Sequence, residues 1–224
     1  MAIREDSGAI IPPKPLLRGW SHGIAAGAAM AIAWGLWQRS GDGPRALSIA
    51  VFGLAMVELY CVSATYHLGD WTREQERWLQ SLDHASIYFL IAGSYTPLCV
   101  NVLSGRQRTV MLAAVWGCAL AGFVFSIWTE RFSSRARAAL YLAMGWIGVA
   151  ALPTILAVLD TGALLMLLAA GLFYSIGAVV YALERPDPVP NVFGYHEVFH
   201  LLVISGSAAL VALVWIWVLP LTRA

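Results

Sequence analysis

Charge is what this chain has least of. Asp, Glu, Lys and Arg together make up 12% of its 224 residues, against 59% hydrophobic residues and a mean hydropathy of +0.70. An average soluble domain carries about 25% charged residues, so a water-exposed globular surface is excluded and a polytopic membrane protein is indicated. The few basic residues lie in short breaks between apolar runs, and the net charge is only +1. That leaves no basic face for nucleic acid. Cysteine is scarce as well. Cys61, Cys99 and Cys118 fall inside apolar runs at spacings that match no zinc or redox motif, and are expected as three buried, reduced thiols acting as small hydrophobes. No internal repeat, low-complexity stretch or second domain is visible. Residues 1–18 hold acids and three prolines ahead of the first apolar run, unlike a cleavable signal peptide. They read as a short cytoplasmic tail on a single domain, residues 19–224.

What is present is long apolar runs. With about 20 helical residues needed to cross a bilayer core, seven spans are expected, near 19–37, 47–67, 83–103, 109–128, 138–158, 163–183 and 198–219, giving an all-α seven-transmembrane helix bundle. The breaks are turns rather than domains, the least marked being Leu159-Asp160-Thr161-Gly162. The tail and the even-numbered loops hold nine Lys and Arg, the other loops and the C-terminus five, which predicts a cytoplasmic N-terminus and an outside C-terminus for a multi-pass protein of the inner (plasma) membrane. Gly93, Pro97, Pro153, Gly145, Gly148, Gly171 and Gly177 suit close helix packing and local kinks. Trp20, Trp37, Trp71, Trp78 and Trp128 sit near span ends, as an interfacial belt does.

Ionisable residues inside apolar runs are costly unless paired or metal-bound, so the few here are informative. The last run opens with His196-Glu197-Val198-Phe199-His200, two histidines one helical turn apart on one face and, by its letters, the H-E-x-x-H zinc-protease signature. His67 ends the second span and Asp83 begins the third on the same membrane side. Any single histidine near a helix end is more often packed than ligating; three from different spans at one depth, beside an acid, point to a metal. His67, His196 and His200 would leave a tetrahedral zinc (Zn²⁺) one open position for water, whose pKa can fall to about 7. Asp83 would balance the remaining charge and take the water's proton. Ser63, one turn from His67, could touch the water or a substrate oxygen. His22 is left structural and Glu58 stands apart in this reading, and His84, about 100° of helix from Asp83, is expected not to face the same point but to stand behind the site or at the interface.

The stretches Ser63-Ala-Thr-Tyr-His67, Asp83-His84-Ala-Ser-Ile-Tyr and Ala92-Gly-Ser-Tyr-Thr-Pro97, with His196-x-x-x-His200, closely resemble the bacterial hemolysin III proteins, relatives of the progestin and adiponectin Q receptors and, more distantly, the alkaline ceramidases. The resemblance covers most of the chain. It implies His67, His196 and His200 as zinc ligands and Asp83 as the acid acting through the zinc water. It also implies intramembrane hydrolysis of a lipid amide or ester as the leading activity. The animal receptors' large cytosolic region has no counterpart, so hormone binding is not carried over. A zinc-stabilised receptor without turnover, a cytolytic pore and a metalloprotease are the competing readings. The protease ranks low because Asp83 already fills the acid's place, which leaves Glu197 to anchor its helix. Expected partners are membrane lipids and a lipid-like substrate or ligand, with homo-oligomers compatible and nucleic acid excluded.

Overall fold

In the computed structural model, residues 3–4, 10–11, 15–128 and 133–221 are described; the rest of the expected tail, the break at 129–132 and residues 222–224 lie outside them. A two-stranded antiparallel pair, β1 (Ile3–Arg4) with β2 (Ile10–Ile11), precedes the helices. The helices are α1 (Trp20–Arg39), α2 (Gly43–Leu68), α3 (Arg73–Asn101), α4 (Gly105–Trp128), α5 (Ser134–Gly145), α6 (Leu152–Val158), α7 (Thr161–Leu183) and α8 (Tyr195–Leu213). A 3-10 turn, Ile147–Ala151, joins α5 to α6, and a π turn, Val214–Val218, extends α8. Every one of the seven expected spans is therefore helical, and among the described residues five helical stretches are long and apolar enough to cross a membrane. α1 and α3 fall short because α1 is rich in Ala, Gly and Trp and α3 opens on charged residues.

The outward faces carry Leu54, Leu120, Leu165, Leu172, Ile176 and Leu201, all exposed. So continuous an apolar exterior is unstable in water and natural against lipid. The five tryptophans named above are exposed at helix ends. The protein is a multi-helix membrane protein.

Local signals account for the helix limits. Thr72 and Gln75 form a capping box, the Gln75 amide donating to Thr72 Oγ1 at 3.3 Å and the Thr72 amide to Gln75 Oε1 at 3.1 Å. This starts α3 ten residues before the expected span, so the charged break is mostly helix. Asp160 caps α7, its Oδ1 accepting from the Ala163 amide at 2.9 Å, and the least marked break is a real turn.

α2 packs between α1 and α3, α4 lies on α3, and α7 joins α8 to α5. Gly93 lets α2 and α3 touch: a Cβ there would sit 2.5 Å from Ala55 Cβ. Two expectations fail. Of the three cysteines expected to be buried only Cys99 is: Cys61 is half-buried, and Cys118 is exposed on the outer face of α4. Gly145 and Gly171 are not there to let a helix approach, since nothing lies within 4 Å of an added Cβ at either, although Gly145 does stand at a break as the kink expectation has it. Both instead line a cavity. Beside Gly145 the helix breaks, and the Tyr95 hydroxyl spans the gap, donating to Gly145 O at 2.5 Å and accepting from the Gly148 amide at 2.8 Å.

Candidate metal centre and the adjoining cavity

His67 and Ser63 stand one turn apart on α2 and are buried; His196 and His200 stand one turn apart on the first turns of α8, half-buried and buried respectively. One ring nitrogen from each histidine lies within 4.8 Å of the other two. The closest pair is His67 Nε2 and His196 Nε2 at 3.2 Å. Two nitrogens at zinc-ligand distance with a tetrahedral angle between them are about 3.3 Å apart, so this pair has the spacing of two tetrahedral ligands, and the third nitrogen, within 4.8 Å of both, would complete the set by closing in. The Asp83 carboxylate approaches from α3, its Oδ2 3.7 Å from His67 Nε2.

Next to His67, a cavity of about 20 Å³ is lined by His22, Ser63, Asp83, His84, Tyr181, His196 and His200 among others, room for a water or a small ion. Beside it is a second cavity of about 430 Å³ whose walls are nearly all apolar. Leu59, Ile87, Phe199 and Val203 line both. Gly145 and Gly171 line it with open space where a Cβ would stand, whereas Gly148 makes room for Tyr95.

His84 departs from the sequence expectation by sharing the small cavity with Asp83. Arg137 of α5 reaches it, NH1 lying 2.6 Å from Nδ1 and 3.2 Å from Nε2. A guanidinium has no acceptor, so at the tighter contact Arg137 donates and the ring proton is on Nε2. On that tautomer His84 Nε2 donates to the Tyr181 hydroxyl oxygen at 3.1 Å, and Tyr181 also meets Ser134 and Arg137. Tyr141 of α5 donates to His84 O at 2.9 Å. The signal for this group was present in the sequence as a basic residue beside a run, but its distance in sequence from His84 hid the pairing.

Glu197 has no part in the cavity wall. Its Oε2 accepts from the Gly194 amide at 2.7 Å, the reach-back half of a capping box, and its Oε1 accepts a charge-assisted hydrogen bond from Arg18 Nε. The protease reading fails at this residue, because the carboxylate that H-E-x-x-H needs at the metal is spent on the helix terminus. Glu58 lines neither cavity. His22, set apart in the sequence reading, is buried, with its ring stacked on His200 at 3.7 Å between centroids and 9° between planes. The overlooked clue was its depth, near the same end of the bundle as His67.

A membrane-embedded helix bundle with three histidines and a carboxylate gathered at one end, opening onto an apolar cavity, is the class of protein these features define. The family follows from comparison with known sequences. The chain belongs to the Haemolysin-III related family, whose model matches residues 11–211. Hemolysin-3 of Bacillus cereus is 33% identical over 98% of this chain and 90% of its own length. More remote relatives include the rice heptahelical transmembrane protein ADIPOR2, 34% identical over 70% of this chain and 76% of its own. The human monocyte to macrophage differentiation factor is 24% identical over 74% of this chain and 68% of its own.

Proposed function

We propose that the protein is a seven-span, zinc-dependent hydrolase of the inner (plasma) membrane, with a cytoplasmic N-terminus, that cleaves an amide or ester bond in a lipid near the cytoplasmic face. The observation that carries this reading is the wall shared by the two cavities: Leu59, Ile87, Phe199 and Val203 line both an apolar volume of about 430 Å³ and the small cavity that His196 and His200 line, with His67 grouped beside them. That volume lies within the range of small-molecule sites, roughly 300–1,000 Å³. An acyl chain lying in it would present its carbonyl end to the histidines.

A zinc ion on those three imidazoles would polarise the carbonyl and activate water for attack. Asp83 accepts the proton released and returns it to the departing amine or alcohol. The Ser63 hydroxyl and the Tyr181 hydroxyl, whose oxygen already accepts from His84, donate to the oxygen that gains charge. The apolar walls keep bulk water out, which strengthens each of these interactions. Purified protein incubated with a mixed set of acyl amides and esters tests the reading. Release of free fatty acid that disappears with a chelator and returns with zinc supports it. Zinc-loaded protein that releases none would leave the receptor reading in its place.

A further inference from the structure

We propose that residues Leu16–His22, the segment leading into and opening α1, form a clasp that sets the spacing of the three histidines, with Arg18 and His22 as positioning residues. The proposal rests on the metal reading above. Four contacts on one short stretch carry it. The Leu16 and Leu17 amides donate to Asn191 O at 3.0 Å and Val192 O at 3.1 Å, seating the segment on the turn before α8. Arg18 pairs with Glu197, the residue next to His196. Gly19, at φ +86°, lies so close to α2 that a Cβ would be 2.6 Å from His67 Cβ; an L side chain would be both strained there and in collision. His22 lies flat on the His200 ring, and Tyr60 meets it edge-on at 5.0 Å.

Each histidine of the cluster is thus met by the clasp, His67 and His200 directly and His196 through its neighbour. α2 and α8 bring these histidines from opposite ends of the sequence, and direct packing between the two helices is slight beside the contact each makes with its sequence neighbours. A bridging segment is what fixes one ligand helix against the other. Groups that hold metal ligands from behind change metal affinity about 10- to 100-fold when removed, and that is the effect expected here.

The test is zinc affinity by chelator competition on the purified full chain in detergent, with the thermal midpoint of the zinc-free protein measured alongside. It compares wild type, His196→Ala, Arg18→Ala, Arg18→Lys, His22→Ala and His22→Phe. Expected are affinities about 10- to 100-fold weaker for Arg18→Ala and His22→Ala. His22→Phe, which restores a flat ring on His200, should bind nearly as wild type, and Arg18→Lys should fall between. The zinc-free midpoints should not follow this order. Wild-type affinity in both Ala variants, with His196→Ala weakened, overturns the clasp and leaves the metal reading standing. Affinity that falls in step with the zinc-free midpoint, with Phe and Lys no better than Ala, also overturns the clasp. Wild type that binds no better than His196→Ala overturns both.

Discussion

His67 Nε2 and His196 Nε2, from helices 129 residues apart in sequence, face each other at 3.2 Å. Held so close, the two nitrogens either share a proton or share a cation. If a cation, purified wild type will hold about one zinc per chain by elemental analysis. His67→Ala, His196→Ala and His200→Ala will each bring it to a small fraction of that. Full zinc content in any one variant removes that residue from the ligand set.

Asp83 makes a different prediction because it stands beside the histidines without being needed to fill a tetrahedron. Asp83→Ala should keep its zinc while lipid hydrolysis drops about 10²- to 10⁴-fold, the size of a lost acid–base group. Unchanged turnover with zinc retained would take Asp83 out of the chemistry.

Ser63→Ala and Tyr181→Phe each remove one hydrogen-bond donor from the small cavity. Ser63→Ala should lower kcat about 10²-fold or more, as loss of an oxyanion donor does, with KM little changed. Tyr181→Phe should do the same if its hydroxyl is the donor that the Arg137–His84 arrangement implies. A rise in KM alone would assign both hydroxyls to substrate binding.

Gly171 lines the apolar cavity and has open space around it. Gly171→Leu places a side chain in that space on a helix where Leu is the better helix former by roughly 1 kcal/mol, so the fold should tolerate it. The larger side chain should raise KM for long-chain substrates and spare short ones. A uniform change across chain lengths would show that the cavity does not hold the acyl chain.

The parts of this architecture that depend on runs and spacing were legible in the sequence. Apolar length marked seven helical segments, and the i, i+4 pairs Ser63/His67 and His196/His200 announced which faces point inward. Asp83 was found by depth alone. What escaped were properties of packing between distant segments. His22 has no partner at helical spacing, and its stack on His200 exists only once α1 lies against α8. Arg137 reads as a loop charge until α5 brings it to His84. Glycines were read as helix contacts because a one-letter sequence cannot distinguish a side chain omitted to let a helix approach from one omitted to leave a space. The start of α3 was misjudged for a local reason, since charged residues were weighed as a break while the Thr72–Gln75 box that begins a helix was overlooked.

Because His67 is on α2 while His196 and His200 are on α8, the histidine cluster is assembled from parts that a growing chain acquires far apart in time. Chains are made from the N-terminus onward, so a nascent protein with α1 to α7 already in the bilayer owns only one of the three imidazoles. Any metal capture by the full triad would therefore be confined to molecules whose α8 has been inserted, and a chain truncated before Tyr195 would be exempt from it.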